Sequence, residues 1–526
     1  MHSCLQIDEV LREIFGWVDD GHTLYALSRT CRTFTGPATD LIWETLPNLL
    51  PIFRQLSCKV TFVGSPNSAD RETFRRLASR VHNLHFGLGK QSGCCYPSDS
   101  KQMVAFLLDS PRPAHLFPSL LYLSIFDNPS IHFFGKLSKE HEDALMRWLM
   151  DLVEVGPTVL NLHCDLVPVI VPALPSIKSI RKLVISRDPL VYRHEELTSV
   201  LCSTLPKLGS LQSFSCVLDS WDILWHLGHL PALRQLSFRL PDRPTLDNNH
   251  NNGGVVFSQL QALDMCGGTL RSIAELFRCA NFESLVSLSA SPIYIPGDAI
   301  GDSQVVDLIL DRCRQLRSVR LSHGFFFYTD VHKLDPYSNL RVLTVEMYRS
   351  FFSTPWTDDA LVPITHGLPH LERFYLLDKP SSAELVMDET VLKPRTEFTL
   401  GALVNLVNNC PNLERLSLPF NAARRNQLEY MSSRKNGRVI QSDSVRYLDV
   451  CQSQAMSSKR LAKILSGLLP RLEVIVVDPH SEYLSSWKAV TRRHRNSPFL
   501  TGHGGDVPRI SGEDGMTLYS TEYLGA

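Results

Sequence analysis

The 526-residue chain lacks several things whose absence limits what it can be. No uninterrupted apolar run approaches the roughly 18–20 residues a membrane span needs. The most apolar stretch, LVPVIVPAL from Leu166, is short and broken by two prolines. The first residues, MHSCLQIDEV, have no basic segment, and acids appear by Asp8 and Glu9, so no secretory signal is expected. Charge of one sign is not in excess: Lys+Arg 53 against Asp+Glu 54 gives a formal net charge of −1. That balance gives no support to a large nucleic-acid-binding surface. The 13 cysteines form no CxxC pair, and Cys94–Cys95 is the only adjacent pair. Reduced thiols serving as small buried hydrophobes, in a nuclear or cytosolic compartment, are the expectation. The phosphate and nucleophile loops GxxxxGK[ST], GxSxG and GxGxxG are missing, as is HExxH. His82 and His85 fall on one expected strand without a third ligand nearby. His163–Cys164 falls on another, so packed or solvated side chains are expected at both places. No cofactor, metal or catalytic group is expected.

What the chain does have is a recurring pattern of apolar, two variable, apolar, one variable, apolar. Clear copies are LRQLSF from Leu233, LRSVRL from Leu316, LRVLTV from Leu340, LERFYL from Leu371 and LERLSL from Leu413. LQALDM, LVSLSA, VRYLDV and LEVIVV begin at Leu260, Leu285, Val445 and Leu472, and weaker copies at Val81, Leu120, Val159, Ile180 and Leu211. From Leu211 the starts are separated by 22, 27, 25, 31, 24, 31, 42, 32 and 27 residues. Leucine-rich repeats run roughly 20–29 residues, so this is an irregular array with insertions. Turn signals (LPAL, LPHL, CPNL, LPRL) precede many copies, and helical periods such as VVDLILDRCRQL precede those. Helix then strand, repeated, predicts an α/β solenoid with a parallel concave sheet. The Asn or Cys that usually follows the repeat core is absent from most copies. A different α/β fold with similar strands is the alternative, although the Gly-rich turn of a doubly wound sheet is missing.

The N-terminus breaks the pattern. IDEVLREIFGWV places Ile7, Val10, Leu11, Ile14, Phe15 and Val18 at helical spacing, with Asp8 suited to the N-cap. TLYALSRTCRTF places Leu24, Leu27, Cys31 and Phe34 on one stripe, Gly36–Pro37 is expected to break it, and ATDLIWETL forms a third short helix with Trp43. The runs EVLREIF, LSRTCRTF and LIW at these spacings resemble an F-box. Gln6–Ile7 stands where the family has Leu-Pro, with Leu5 one place away. A short three-helix F-box followed by irregular leucine-rich repeats resembles the fungal F-box substrate receptors of Skp–cullin–F-box ubiquitin ligases. The resemblance implies a Skp-type adaptor and cullin ligase as partners, and a protein substrate held by the repeats. It places adaptor contacts at Leu5, Ile7, Val10, Leu11, Ile14, Phe15, Leu27, Cys31, Phe34 and Trp43. An ordinary helical cap on the array's edge is the alternative for this segment.

The expected organisation is a helical module over 1–46, a transition over 47–80, repeats over 81–480 with a mobile loop at 243–254, and a tail over 481–526. In each strand the variable positions alternate away from the core. These positions make Arg320, Arg373, Tyr375, Arg415 and Tyr447 candidate substrate anchors, since arginine and tyrosine predominate among interface anchors. The aromatic runs at Phe325–Tyr328 and around Phe351, Phe352 and Trp356 read as packed or recognition loops. The basic run Thr491–Arg495 reads as a solvated helix end or a localisation signal.

Overall fold

A computed structural model describes residues 7–18, 20–56, 67–87, 104–126, 139–186, 194–216, 220–240, 255–291, 302–322, 339–348, 356–379, 397–422, 441–451, 453–455, 458–478, 481–493 and 499–501. The chain divides into two compact units, Met1–Leu285 and Val286–Ala526.

In the first unit, three helices, α1 (Asp8–Gly16), α2 (Gly21–Ser28) and α3 (Arg32–Glu44), lead into strand β1 (Thr45–Leu46). The strands β2 (Asn83–Gly87), β3 (Tyr122–Phe126), β4 (Val159–His163), β5 (Lys182–Ser186), β6 (Ser213–Cys216), β7 (Gln235–Arg239) and β9 (Ala262–Cys266) follow β1 side by side in a parallel sheet. A two-stranded parallel pair, β8 (Val255–Val256) with β10 (Ala280–Asn281), lies apart from it. The second unit repeats the plan with β11 (Ser287–Ser291), β12 (Ser318–Ser322), β13 (Val342–Tyr348), β14 (Arg373–Lys379), β15 (Arg415–Ser417), β16 (Tyr447–Asp449), β17 (Val474–Val477) and β18 (Phe499–Thr501), again all parallel and in chain order. Parallel neighbours need a crossover, and helices such as Lys139–Glu154 and Leu400–Asn409 supply it. This succession is the leucine-rich-repeat form of the α/β class.

The core follows from the period. The central apolar position of each repeat forms one buried row per unit. That row is Leu84, Leu123, Leu160, Leu183, Phe214, Leu236 and Leu263 in the first, and Leu288, Val319, Leu343, Phe374, Leu416, Leu448 and Ile475 in the second. Ahead of most strands a three-residue turn closes by a backbone bond, as in Leu211 N to Leu208 O at 3.0 Å and Leu371 N to Leu368 O at 3.2 Å. Cys313 and Cys410 take the Leu position of two such turns, with Leu316 and Leu413 bonding back to them. Burial pushes both thiols up to about 12, which keeps them protonated and inert, as expected of small buried hydrophobes. The carbonyl just before a strand then accepts two N–H groups from the next repeat. Leu121 and Tyr122 both donate to His82 O, and Arg234 and Gln235 both donate to Gln212 O.

Five expectations change. Asp8, expected at the N-cap, is the first helical residue of α1, and Ile7 stands at the cap with no side-chain bond. The repeat read from Val159 starts two residues earlier, at Pro157, because Val159 pairs with Tyr122 and Leu160 with Leu123. In the first unit strand pairing starts at β1, and in the second it runs on to β18, so pairing extends beyond both ends of the 81–480 span. The segment after 480 is not a loose tail throughout. The helix Leu484–Arg493 buries Trp487, whose Nε1 donates to Ser453 O at 2.8 Å, and Thr491 is buried on the same helix. Finally, the chain breaks between Ser28 and Arg32 and not at Gly36–Pro37. α3 runs through Pro37, whose missing N–H leaves the Thr33 carbonyl without its helical donor. The cost of about 3 kcal/mol for such a proline is offset by packing, since Phe34, Ala38, Leu41 and Ile42 all join one core.

Leu5, the loop 243–254, the aromatic residues Phe325–Tyr328, Phe351 and Phe352, and Cys94–Cys95 lie outside the described residues. Trp356 is described and buried.

Candidate functional site

Two surfaces carry the candidate residues. The first is on the helical module. Its core consists of Leu11, Phe15, Leu24 and Ala38, with Val18, Leu27, Phe34, Leu41 and Ile42 packed against it. Phe15 meets Phe34 edge to face at 5.2 Å. α2 is started by Asp20, whose carboxylate accepts from Thr23 Oγ1 at 2.7 Å, Thr23 N at 2.9 Å and His22 N at 3.1 Å. Those bonds hold the Asp20 carboxyl below its ordinary value.

The core is complete without several large apolar residues. Ile7 (47% exposed), Ile14 (45%) and Trp17 (71%) lie along α1, and Tyr25 (57%) lies on α2. At 3.6 residues per turn, Ile7, Val10, Ile14 and Trp17 share an arc of about 80°, beside the arc that carries Leu11, Phe15 and Val18. Half of the apolar side of α1 therefore builds the core, and half faces outward. This divides the expected adaptor contacts. Ile7 and Ile14 are exposed and Val10 is half-buried, so all three offer surface. Leu11 and Phe15 are corrected to core residues, because fully packed side chains have no surface to present. Leu27 and Phe34 lean on that core, while Cys31 and Trp43 are half-buried on α3 and at its start. Trp17 and Tyr25 were not among the expected contacts. Carrying the α1 spacing three residues past Ile14 would have found Trp17.

The module is also tied to the array. Asp40 on α3 receives both Arg12 of α1 and Arg80, the latter just ahead of β2. Arg12 Nε also donates to Asp8 Oδ2 at 2.7 Å. His82 N donates to Glu44 O at 2.9 Å, and Asn83 Nδ2 to Thr45 Oγ1 at 2.9 Å.

The second surface is the open face of the second unit's sheet. Register places Arg373, Arg415 and Tyr447 in one row, and Arg320, Thr344, Tyr375, Ser417 and Asp449 in the next. All five expected anchors thus share one face, opposite Phe374, Leu416 and Leu448. Their roles differ. Arg320 is corrected from anchor to strut, because its guanidinium is held by the buried Glu346 of the next strand, Nε to Oε1 at 3.0 Å. Tyr447 is buried, so it is a wall and not a projecting contact. Asp449, also buried, accepts from Ser417 Oγ at 3.0 Å and Cys451 N at 2.9 Å. Burial raises its carboxyl above the ordinary value, and those donors pull the other way. Cys451 has φ 50°, in the left-handed region where a non-glycine residue is strained. The bond to Asp449 and the 3.4 Å contact of Cys451 Sγ with Ser417 Oγ fix it there. Arg373, Tyr375 and Arg415 are half-buried. Burial raises the Tyr375 hydroxyl above its ordinary value, while Arg415, through charge and a hydrogen bond, and Arg373 oppose that.

Other groupings resolve as structure. His163 Nδ1, Cys164 Sγ and an Asp165 oxygen lie within 4.8 Å of one another. His163 Nδ1 accepts from Asp165 N at 3.4 Å, which caps the short 3-10 turn that starts at Cys164. An open cleft in the first unit, lined by Glu72, Arg75, Arg76, Ser79, Pro111 and His115, shares no residue with either surface. Among the described residues no helix is long and apolar enough to cross a membrane.

No family model matches the chain, and no curated protein matches its sequence. Solved structures do align with it. The Rad7–Elc1 complex of yeast aligns at 13% identity and TM-score 0.34, covering 91% of this chain and 93% of that one. An internalin from Listeria monocytogenes aligns at 12% and 0.32, covering 76% and 88%. The leucine-rich-repeat protein LegL7 of Legionella pneumophila aligns at 13% and 0.32, covering 74% and 96%. Scores this low carry no inference about partners, and the class of the fold rests on the strand register above.

Proposed function

We propose that this chain is the substrate-recognition adaptor of a Skp–cullin–F-box ubiquitin ligase. Its helical module binds the Skp-type adaptor and its repeats hold a protein target. The observation that carries the reading is the outward stripe Ile7–Val10–Ile14–Trp17 on a module whose core closes without it. Among the described residues, four of the eight exposed large hydrophobics (Ile7, Ile14, Trp17 and Tyr25) lie within this one small module. An exposed apolar cluster of that kind marks a place where a partner sits. The mechanism is proximity: holding the ligase and the target at once raises their effective concentration without new chemistry.

Titration of the full chain with purified Skp-type adaptor tests this. Ile14→Ala with Trp17→Ala is expected to weaken binding about tenfold or more, since two apolar interface anchors are removed. Binding equal to the parent chain would end the ligase reading. Deleting 1–46 is a poorer test, because β1 would go with it.

A second reading, a protein-interaction scaffold with a helical cap, is favoured by one observation. Asp40 clamps both Arg12 and Arg80, so the module seals the first strand pair. Under that reading the double substitution on α1 changes no binding.

A further inference from the structure

We infer that Arg373 and Arg415 form a receptor for an anionic side chain, carboxylate or phosphate, of a protein partner. This deepens the receptor reading, on which its cellular meaning rests, but its geometry belongs to the second unit alone.

Directly paired positions on neighbouring strands bring side chains of one face together, and like charges placed there repel. Arg373 and Arg415 are such a pair. Three nearby arginines reach across to an acid on the next strand or just ahead of it: Arg320 to Glu346, Arg341 to Glu372, and Arg446 to Glu473. Arg373 and Arg415 break that pattern, having no carboxylate within ion-pair distance among the described residues. Arg373 Nε is buried with no hydrogen-bond partner among the described residues. A buried charged donor left open is costly unless something accepts from it. Asp449, the nearest acid in register, stands one row on, and its two oxygens are taken by Ser417 and Cys451. Tyr375 and Tyr447 flank the pair along β14 and across on β16. The result is two planar guanidinium forks, side by side, half-shielded from water and walled by two rings. Guanidinium forks bind carboxylate and phosphate oxygens in pairs, and partial burial strengthens the bond. Arginine and tyrosine beside a flat strand face suit a peptide more than a bare ion.

The test presents the full chain with degenerate peptide libraries that fix phosphoserine, glutamate or serine at the centre. The anionic libraries are expected to bind at least about tenfold tighter than the serine library, the size expected for charge-assisted bonds to a guanidinium. Arg415→Gln should remove that preference, with circular dichroism unchanged, while Arg341→Gln should not. If Arg415→Gln unfolds the chain, Arg415→Lys keeps the charge, loses the fork and should weaken binding in the same direction. Preference for phosphoserine alone names a phosphorylated side chain as the source, and equal binding of the glutamate library shows that a carboxylate suffices. Equal or absent binding of all three libraries overturns the inference, as does a preference that survives Arg373→Gln with Arg415→Gln. A single-stranded RNA that displaces the phosphoserine library from this face overturns the assignment to a peptide. The Ile14→Ala, Trp17→Ala chain should keep the anionic preference, so loss of adaptor binding and loss of peptide binding are separate results.

Discussion

The two units share one core plan and differ on their open faces. Behind the strands, each has an unbroken apolar row, which includes Phe214 in the first and Phe374 in the second. In front, the first unit's row reads His85, Ser124, Asn161, Val184, Ser215, Ser237 and Asp264, with Tyr122, Val159, Lys182, Ser213 and Gln235 beside it, two rows that hold no arginine. The second unit's rows hold Arg320, Tyr375 and Asp449, with Arg373, Arg415 and Tyr447 beside them. The difference teaches that the repeat specifies only every other side chain. Packing dictates the inward positions, and the outward ones are free to carry recognition.

Predictions follow from pressing on that contrast. The largest effects should be equal in the two units. Phe214→Ala and Phe374→Ala each remove a fully buried ring, and each should cost about 3–5 kcal/mol in urea unfolding. A face substitution in the second unit should come next. Arg320→Ala removes the guanidinium that faces the buried Glu346 and should cost about 2–3 kcal/mol, with Glu346→Gln in the same chain recovering part of it. The corresponding first-unit change, Ser237→Ala, loses only the bond to Asp264 (3.1 Å) and should cost about 1 kcal/mol or less. If both face substitutions cost the same, the contrast between the units is broken.

Asp449 gives a pH-dependent version. Its folded carboxyl holds its proton to higher pH than the unfolded chain, whose ordinary value is 3.8. The folded state therefore binds more protons between those two values. The stability it contributes is fully present below the ordinary value, is lost as pH rises through the raised one, and is flat beyond. Asn at this position can still accept from Cys451 N through its amide oxygen, and its amide nitrogen can donate to Ser417 Oγ in place of the second accepted bond, as the protonated acid would. Asp449→Asn should match the parent chain at the acid end and become relatively more stable as pH rises to neutrality, as urea unfolding at a series of pH values would show. A parent-minus-variant difference that is constant with pH would contradict the burial account. Smallest of all, Trp17→Ala should leave the melting temperature within about 1 °C, since exposed substitutions usually stay within about 0.5 kcal/mol.

Much of this was legible in the sequence because period is physics. Thirteen of the fourteen repeat starts fall two residues ahead of a strand, and the exception, at Val159, was drawn off register by the early proline Pro157. The terminal strands were not legible. Thr45–Leu46 and Phe499–Thr501 are too short to show alternation, and pairing with a neighbour defines them. Pro37 misled because local breaking rules were overruled by the packing of Ala38 and Leu41. The five anchor candidates were read as residue types on one face, and register places them on one face. Their grouping was hidden, since Arg373, Arg415 and Tyr447 are 42 and 32 residues apart and meet only through register. Which of them is engaged also depended on partners, such as Glu346 for Arg320, that no spacing rule selects. On α1, periodicity found the apolar side, but only the packing of α2 and α3 shows which half is covered.

The most direct test of the central claim is hydroxyl-radical footprinting of the full chain with and without the Skp-type adaptor, read residue by residue. Trp17, 71% exposed in the free chain, and Tyr25 should lose reactivity when the adaptor binds, while Tyr375 in the second unit should not change. Unchanged labelling of Trp17 at saturating adaptor would contradict the account.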